Sequence, residues 1–330
     1  MMGRWFITPG ELRSRGVLGL NARNGALIAA YNDRCNYPLV DDKLQTKRLA
    51  LEAGIAVPEL YGVIETQQQV RRLGGMIGDH EDFVIKPAHG AGGDGILVIT
   101  GRMGHHHRRA NGKLVDRDGI AHHVANILSG MYSLGGQPDK AMVESRVKFD
   151  PMFEQVSFQG VPDIRTVVYR GYPVMAMVRL PTREADGKAN LHQGAVGAGI
   201  DMGTGKTLYG VWRSQPVERH PDTGAPIAGI PIPGWARLLE LAARCHDLAG
   251  LGYLGVDVVL DRDRGPLILE LNARPGLAIQ IANHEGLLHR TEAVDERLDT
   301  LERREDAQSR AAWTQARFAV NPGAGPATRD

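Results

Sequence analysis

The stretch at residues 252–276, GYLGVDVVLDRDRGPLILELNARPG, most constrains what this chain can fold into. Its apolar and β-branched runs predict two short strands, residues 253–260 and 266–272. A charged turn that ends in Gly265 joins them, so the two strands are expected to pair as a hairpin. The hairpin thus combines apolar positions suited to a core with acidic positions.

The second strand of this hairpin carries polar residues on one face. Glu270 and Asn272 are two positions apart, and successive side chains of a strand point to opposite faces, so these two share a face. The opposite face is predicted to enter the core, and it carries Leu267, Leu269 and Leu271.

The length of the turn decides which residue lies opposite Glu270. If the loop has four residues, 262–265, then Asp257 falls opposite Glu270 and joins Asn272 in one patch. Two carboxylates and one amide are hard oxygen donors, suited to Mg²⁺ held jointly with phosphates. The solvated acidic face of an ordinary hairpin is the alternative. The polar, turn-forming exit at residues 272–276 favours the edge of a site.

Composition argues against several classes of protein. The chain has 330 residues, 42% of them hydrophobic, which suffices for two domains or one two-lobed domain. Its net charge of +1 argues against a dedicated nucleic-acid-binding protein. Its two cysteines, Cys35 and Cys245, give no disulfide framework. We see neither a signal peptide nor an apolar run of membrane-spanning length, so a cytoplasmic protein without a membrane span is expected.

A glycine-rich loop, residues 87–95, lies between two predicted strands, 83–86 and 96–100. Its glycines match the dinucleotide-binding pattern G-x-G-x-x-G, which requires a helix after the loop. The apolar, β-branched strand that follows argues against that interpretation. Glycines let backbone N–H groups approach anionic oxygens, so a flexible loop over phosphates is preferred, with Lys86 adding a point charge. A plain glycine hairpin beside a surface lysine is the alternative.

Two further motifs are weaker. Residues 203–207 resemble the end of a Walker A loop, but Ile200 stands where that pattern requires its first glycine. A polar turn is preferred there. His105, His106 and His107 lie in a polar stretch, which favours a solvated turn over a loose metal site.

Arg165 lies near the start of a predicted strand, residues 161–169, which opens a sheet. An arginine there forms a simple cross-strand salt bridge or, near a phosphate site, clamps a transferring phosphoryl group. Towards the C-terminus, residues 292–317 predict a solvated helix. Residues 321–330 are rich in proline and glycine and predict disorder.

Several short segments, taken in their order and spacing, make the chain resemble an ATP-grasp ligase. It is most similar to the alpha-L-glutamate ligase-like proteins related to the ribosomal-protein S6 glutamate ligase. The resemblance covers about residues 17–285, and its segments are 42–47, 54–58, 84–87 with 90–95, 143–144, 163–165, 190–194, Asp257 and 270–272.

The resemblance implies an α+β fold, the ATP-grasp fold, in which two α/β lobes with mostly antiparallel sheets clamp ATP between them. Residues 1–42 would form a short N-terminal segment and 43–140 the small lobe with the glycine-rich loop. Residues 141–290 would form the large lobe with the Mg²⁺ site, and 291–330 a charged helix and a disordered tail.

The resemblance also implies nucleotide-binding residues. Lys43 and Lys86 would contact the phosphates of ATP, while Glu144 and Val147 would lie in the hinge that holds adenine. The loop that closes over the phosphates would contribute Gly90, Gly92, Gly93 and Gly95.

Metal and substrate contacts follow from the same resemblance. Asp257, Glu270 and Asn272 would hold Mg²⁺, for which Mn²⁺ could substitute. Arg165 and Asn190 would face the phosphoryl group and the acceptor. The guanidinium of Arg274 suits a substrate carboxylate as a bidentate fork or, alternatively, simply braces its loop.

The implied activity is ATP-dependent joining of a carboxylate to an amine through an acyl phosphate, with amino acids or peptides as substrates. Glutamate or another amino acid would be added to a peptide, a protein or a small molecule. A phosphotransferase with a hydroxyl acceptor and a non-catalytic nucleotide-binding module are the alternatives. The chain departs from the family in one respect: only 42 residues precede Lys43. A second copy of the chain or a partner protein is therefore expected to complete the substrate site.

Overall fold

The computed structural model describes residues 7–90 and 92–320, and the strands in these ranges form two antiparallel sheets. The smaller sheet contains β1 (Leu60–Ile64), β2 (Phe83–Pro87), β3 (Leu97–Met103), β4 (His106–Arg109), β5 (Leu114–Val115) and β6 (Ala141–Glu144). Its strand order is β1-β6-β2-β3-β4-β5. The larger sheet contains β7 (Asp163–Tyr169), β8 (Tyr172–Leu180), β9 (Val196–Ile200), β10 (Thr207–Trp212), β11 (Gln215–Val217), β12 (Tyr253–Asp261) and β13 (Gly265–Asn272). Its order is β11-β10-β9-β8-β7-β12-β13.

Helices cover and connect these sheets. Those in the described residues are α1 (Pro9–Ser14), α2 (Leu20–Ala22), α3 (Ala29–Tyr31), α4 (Pro38–Asp41), α5 (Lys43–Glu52), α6 (Leu73–Ile77), α7 (Arg117–Leu128), α8 (Trp235–Ala249), α9 (Ala278–Asn283), α10 (Leu288–Asp299) and α11 (Ala307–Arg317). A turn of π-helix, Arg23–Ile28, joins α2 to α3. The α+β class predicted from the sequence is confirmed.

Each sheet has its own core. In the smaller lobe, α7 begins after Asp116, whose side chain accepts a hydrogen bond from the Gly119 amide at 2.8 Å. Its apolar residues pack on the smaller sheet, in a cluster that includes Ile120, Val124, Ile127, Phe83, Ile85 and Ile99. Two separate cores leave a boundary between the lobes.

The core of the larger lobe forms where α8 crosses the larger sheet. Helical spacing predicts an inward stripe on α8, and its residues are buried as expected: Leu238, Leu239, Leu241, Ala242 and Cys245. The helix ends at Gly250, whose positive φ of 62° allows its amide to bond the carbonyl of His246. The chain then enters β12, so the helix stop sets where the central hairpin begins.

The hairpin of β12 and β13 pairs Asp257 with Glu270, as the sequence predicts. The loop is one residue shorter than expected, because β13 already begins at Gly265. A bulge compensates: Asp257 pairs with Glu270, whereas Val258 pairs with Ile268, which leaves Leu269 as the extra residue. Two departures from the predicted geometry therefore cancel at the acidic pair.

The bulge also changes which leucines enter the main core, so part of that prediction was wrong. Leu271 packs there together with Ile268. Leu267 and Leu269 pack instead in a separate small cluster with Val259. Because the extra residue breaks the alternation of the strand, the two leucines share a face with Asp257.

The segment before Lys43 packs on the larger lobe beside the hairpin. The Asn32 side-chain amide donates to the carbonyls of Tyr253 (2.8 Å) and Ala273 (3.0 Å). The backbone amide of Leu18 donates to Gln280 at 2.8 Å, deep in the structure. Residues of this segment thus pack beside the end of β13 and the loop that follows it.

The C-terminal region corrects the prediction of a single solvated helix over residues 292–317. Two helices, α10 and α11, are present, and α11 packs against α8 and β8. Arg310 and Thr314 are buried on it, and the Trp313 ring meets Tyr172 edge-on at 5.4 Å. The sparse apolar positions lie on one helical face, so they suffice for packing. The predicted disorder of residues 321–330 falls outside the described residues.

The three adjacent histidines lie on and next to β4. His107 is buried with its ring against Phe83, whereas His105 and His106 are exposed. Among the described residues, no helix is long and apolar enough to cross a membrane.

Candidate active site

The glycine-rich loop connects two antiparallel strands, which confirms the strand–loop–strand interpretation. Ile85 of β2 pairs with Leu97 of β3, and the element that comes directly after the loop is this strand and not a helix. Gly92 and Gly93 have φ of 67° and 80°, a conformation that other residues rarely adopt. At Gly95 a side chain would also collide with Tyr132, since an added Cβ would lie 2.6 Å from its ring. The dinucleotide fold is thereby excluded for this loop.

The loop reaches across to the larger lobe. Lys188 and Asp94 form an ion pair at 2.9 Å, with the Lys188 side chain 35% and the Asp94 side chain 60% exposed. A Cβ added to Gly92 would lie 3.7 Å from the side-chain amide nitrogen of Asn190. Asn190 itself caps a short helical turn by accepting from the His192 amide at 3.0 Å. The glycine loop and the segment that carries Asn190 therefore face each other across the boundary between the lobes.

Lys43 stands at the start of α5, directly after its capping residue. Asp42 accepts from the Leu44 amide at 2.8 Å, which satisfies a free N–H group at the helix start. The ammonium of Lys43 donates to the carbonyl of Gly90 at 2.5 Å. The first lysine thus contacts the first glycine of the loop, as expected of a residue that works with it.

Glu144 ends β6 and is almost fully buried between two lysines. Its two carboxylate oxygens lie 2.5 Å from Lys47 and 2.5 Å from Lys86, and all three side chains are at most 7% exposed. Lys47 also donates to the carbonyl of Pro58. The ammonium group of Lys86 is therefore held against Glu144, and both oxygens of Glu144 contact lysines. Sequence reasoning missed Lys47, although it lies one helical turn after Lys43, a spacing that places both on one face.

Burial and charge oppose each other in this trio. Burial alone would raise the pKa of Glu144, but the neighbouring Lys86 and Lys47 outweigh it and hold the pKa below its ordinary value. Burial lowers the pKa of Lys47, and the charge of Glu144 resists that change. One carboxylate between two ammonium groups leaves a net positive charge, which suits an anionic ligand.

A small apolar cluster lies near Glu144 in sequence and on the site face of the hairpin. Val147, Val259 and Leu267 are buried in it, and Val161 and Leu269 pack against it. It exists because the bulge at Leu269 turns two leucines away from the main core. Val147 is predicted at the adenine hinge. It is part of an apolar surface formed by the segment between β6 and β7 together with the hairpin.

The larger lobe contributes a cluster of two arginines and two aspartates on β7, β8 and β12. Arg165 donates to both oxygens of Asp257, with the Nη2–Oδ2 distance at 2.6 Å. Arg179 donates to Asp257 at 3.0 Å and also to both oxygens of Asp163. The strand register brings them together, because Arg165 pairs with Asp257 and Asp163 with Arg179.

Arg179 and Asp163 were not predicted as site residues. The sequence offers the tight turn at residues 170–171 as a signal, but that turn alone would place Asp163 opposite Val178. A bulge at Val174 shifts the register by one residue and brings Arg179 opposite Asp163 instead. The cross-strand bridge between Arg165 and Asp257 is the simpler of the two roles that the sequence suggests for Arg165. It is the role visible without a ligand.

The pKa values of the two carboxyl groups in this cluster shift in opposite directions. Burial would raise the pKa of Asp257, but Arg165 and Arg179 together keep it below its ordinary value. Burial raises the pKa of Asp163, partly against the effect of Arg179. Two guanidiniums and two carboxylates leave little net charge in the cluster when all are ionised.

The predicted metal ligands lie around Asp257. Asn272 donates from its amide nitrogen to Asp257 at 3.3 Å, and Glu270 lies opposite Asp257 on the neighbouring strand. Two carboxylates and one amide oxygen fit the donor preference of Mg²⁺. In the described residues no group of three or more His, Cys, Asp or Glu side chains is arranged to hold a metal. The three predicted ligands would not form such a group, because only two of them are acidic and the third is an asparagine.

Arg274 lies beyond the exit of β13 and is exposed. Its guanidinium stacks over the ring of Tyr37, 4.8 Å from the ring centre. Nearby, Arg23 donates to the carbonyl of Pro275 at 3.1 Å. These contacts brace the loop against the N-terminal segment, which is the second of the two roles that the sequence suggests for Arg274.

A family model described as "Sugar-transfer associated ATP-grasp" matches residues 22–296. This chain belongs to the ATP-grasp family. The match includes both sheets and every predicted site residue from Lys43 to Arg274. The fold predicted from the resemblance is thereby confirmed.

Among curated proteins, the ATP-grasp chain is 26% identical over 236 residues to the ribosomal protein bS6–L-glutamate ligase of Escherichia coli O7:K1. That alignment covers 72% of this chain and 56% of the relative. It is 29% identical over 181 residues to a probable alpha-L-glutamate ligase of Syntrophotalea carbinolica, with 52% and 49% covered. The chain thus spans about half the length of these curated relatives. The predicted kinship with glutamate ligases is confirmed.

Similar solved structures include a synthetase and a protein named as an ATP-grasp ligase. The D-cycloserine synthetase DcsG has a TM-score of 0.44 and 17% identity, with 79% of this chain and 71% of that chain covered. The ligase PsnB, in complex with a minimal precursor, has a TM-score of 0.43 and 15% identity, with 81% and 63% covered.

Proposed function

We propose that this ATP-grasp chain is an ATP- and Mg²⁺-dependent ligase that joins a carboxylate to an amine through an acyl phosphate. One observation carries the proposal: the glycine loop, whose first glycine contacts Lys43, reaches across the boundary between the lobes, where Asp94 pairs with Lys188 and Gly92 lies beside Asn190. ATP and Mg²⁺ would bind between the two lobes, one supplying the lysines beside the glycine loop and the other the hard oxygen donors of the hairpin. The curated relatives are named as ligases, which supports the same chemistry.

The triphosphate of ATP would lie under the glycine loop. Lys43 and Lys86 would contact it, and the backbone N–H groups around Gly92 and Gly93 would approach its oxygens. Adenine would lie on the apolar cluster that contains Val147 and Leu269. Glu144 would then act by holding Lys47 and Lys86 in place, a revision of its expected role in binding adenine.

Asp257, Glu270 and Asn272 would hold Mg²⁺, which would neutralise phosphate charge and polarise the transferring phosphoryl group. In this structure both oxygens of Asp257 accept hydrogen bonds from Arg165. Binding of the cation by Asp257 therefore requires Arg165 to share or release that carboxylate. A released Arg165 would be free to face the phosphoryl group, beside Arg179 and Asn190.

The reaction needs positioning and charge neutralisation more than a protein nucleophile. The substrate carboxylate attacks the γ-phosphorus, the bond from that phosphorus to the bridging oxygen breaks, and ADP departs. An amine then attacks the acyl carbon and displaces phosphate, with loss of one proton. Amino acids or peptides are the proposed substrates, and Arg274 is a candidate to hold a substrate carboxylate if it leaves the Tyr37 ring.

The decisive test is ADP release from the purified chain with Mg²⁺ and ATP, across amino acids supplied singly and in pairs. We expect release that depends on both a carboxylate donor and an amine. Release with a hydroxyl compound alone would instead establish a phosphotransferase. Nucleotide binding without turnover on any pair or on added peptides would contradict the ligase proposal and favour a binding module.

A further inference from the structure

His89, the residue before the first glycine of the loop, lies between two carboxylates. Its Nδ1 lies 2.7 Å from Asp139, and its Nε2 lies 3.7 Å from Asp42. Its side chain is 43% exposed, whereas the side chain of Asp139 is fully buried. A buried carboxylate that fixes one ring nitrogen leaves the other nitrogen with a defined direction.

Asp139 is itself held rigidly. It accepts hydrogen bonds from the His89 amide (3.0 Å), the Ser133 hydroxyl (2.7 Å) and the Lys140 amide (2.7 Å), in addition to the His89 ring. Burial would raise the pKa of Asp139, but these hydrogen bonds outweigh burial and lower it. Asp139 is therefore an ionised anchor, and its bond to His89 is charge-assisted when the ring donates.

The anchor fixes the entry of the glycine loop. The Ala88 amide donates to the carbonyl of Lys140 at 2.9 Å, and Gly90 forms an isolated bridge with Ser133. At the other end of the loop, the ring of His123 bonds the carbonyl of Gly95 at 2.9 Å. The entry of the loop is thus tied to the segment between α7 and β6, and its end is tied to α7 itself. Gly92 and Gly93, with φ of 67° and 80°, lie between these two attachments.

The other side of the His89 ring faces the start of α5. Asp42 caps that helix, and Lys43, the next residue, donates to the Gly90 carbonyl at 2.5 Å. The backbone amide of Lys43 also donates to the Ala88 carbonyl at 3.2 Å. The imidazole therefore sits where the loop entry and the first phosphate-binding lysine meet.

We infer that His89, fixed by Asp139, is a positioning residue that holds the glycine loop and Lys43 in register so that both reach the phosphates of the nucleotide together. This inference rests on the proposed function only in that the bound ligand is a nucleotide. The β- and γ-phosphates should depend on His89, and the nucleoside with its α-phosphate should depend on it much less.

The test compares the affinities of ADP and AMP for the wild-type chain and for variants at residue 89, measured by calorimetry in the presence of Mg²⁺. For His89→Ala we expect at least about a tenfold loss of ADP affinity, the size of one charge-assisted hydrogen bond. AMP affinity should change less than about threefold. His122→Ala, at an exposed histidine of α7, serves as the matched control and should leave both affinities unchanged.

Two conservative variants separate the ring nitrogens. The amide of His89→Asn can donate to Asp139 from the position of Nδ1, so this variant should recover most of the ADP affinity. His89→Gln places its amide nearer the position of Nε2 and should not recover it. Rescue by glutamine and not by asparagine would overturn the assignment, because it would mean that the imidazole acts through Nε2 on its own. Equal ADP affinity for wild type and His89→Ala would overturn it as well.

Amide hydrogen exchange over residues 90–95 gives a second readout. ADP should protect this loop in the wild type and in His89→Asn, but not in His89→Ala. Asp139→Asn should reproduce His89→Ala, and if that variant does not fold, the asparagine and glutamine pair still decides. Wild-type chain that binds neither nucleotide would refute the proposed function, whereas normal binding by wild type and by His89→Ala would refute this inference alone.

Discussion

The two halves of the candidate site solve one electrostatic problem in different ways. At the edge of the smaller sheet, Lys47 of α5 and Lys86 of β2 share a single buried carboxylate, Glu144, and a net positive charge remains. In the larger lobe, Arg165 and Arg179 share Asp163 and Asp257, so the charges balance. The first arrangement is ready to attract an anion. The second is closed on itself and becomes available only when a ligand competes for its members.

The choice of cation matches this difference. Lysine carries a compact charge on a flexible stem, which suits Lys43 and Lys86 beside a loop that has to adjust. Arginine presents a planar fork, which suits fixed contacts between neighbouring strands, as at Arg165 and Arg179. The two halves therefore differ in charge, with an excess of positive charge around Glu144 and balanced charge around Asp257, and the following experiments test that difference.

The largest effect is expected at Glu270. Replacing it with glutamine removes one proposed metal ligand, and because a bound metal supplies several kcal/mol to such reactions, ADP release should fall by about a thousandfold. Glu296→Gln, at an exposed carboxylate of α10, is the control and should retain wild-type rates. Normal turnover in the Glu270 variant would remove the hairpin from the site.

The arginine fork is tested by Arg165→Lys. The charge is kept but the bidentate geometry is lost, so kcat/KM for ATP should drop by about a hundredfold, as for loss of one fixed donor to developing charge. Arg237→Lys, exposed on α8, should have no effect. If lysine at position 165 supports full activity, the bidentate geometry of the arginine is not what the larger lobe requires.

The free energy of unfolding should fall more when the carboxylate between the two lysines is neutralised than when Asp257 is. Glu144→Gln leaves two buried lysines without their shared partner, which should cost about 3 kcal/mol or more in the free energy of unfolding. Asp257→Asn should cost less, since Arg179 keeps its contacts with Asp163. Urea denaturation at neutral pH measures both variants. Glu65→Gln, in an exposed pair with Lys140, is the control, and a larger loss there than at Glu144 would contradict the argument.

The same carboxylate predicts a dependence on pH. The pKa of Glu144 in the folded chain lies below its ordinary value of 4.5, because its two lysines outweigh burial. Its stabilising contribution is therefore complete above pH 4.5 and is lost as the pH falls through the folded-state pKa. The difference in unfolding free energy between wild type and Glu144→Gln should thus shrink on acidification below pH 4.5. A difference that stays constant would show that the pKa of Glu144 is not lowered in the folded chain.

The smallest effect is expected at the contact between the lobes. Asp94→Asn removes an exposed ion pair with Lys188, so stability should change by less than about 0.5 kcal/mol. The KM for ATP should rise only slightly, and raising the salt concentration should abolish the difference from wild type. A large loss at low and high salt alike would mean that Asp94 contacts the ligand.

Much of the fold could be predicted from local patterns. Alternating apolar residues gave the hairpin strands, the inward stripe of α8 was read from helical spacing, and the strand after the glycine loop excluded a dinucleotide fold. Asp257 was placed opposite Glu270 correctly although the loop length was wrong, because an unforeseen bulge at Leu269 restored the register. A bulge depends on the neighbouring strand, so a single strand's sequence does not reveal it.

Residues that act through distant partners were the ones missed. Lys47 appears as an ordinary helical lysine until β6 brings Glu144 to it, and Arg179 gains its role only from strands β7 and β12. Asp139 and His89 are 50 positions apart in sequence and meet through the packing of the smaller sheet.

The sequence by itself determined the residue types of the site and their order: a lysine before a helix, a glycine loop between strands, and acids on a hairpin. Only the tertiary structure decided how those charges pair. Short-range patterns follow from backbone periodicity, which every residue reports locally. Charge pairing depends on strand register between sequence-distant elements and on burial, and both are set by the packing of the whole lobe.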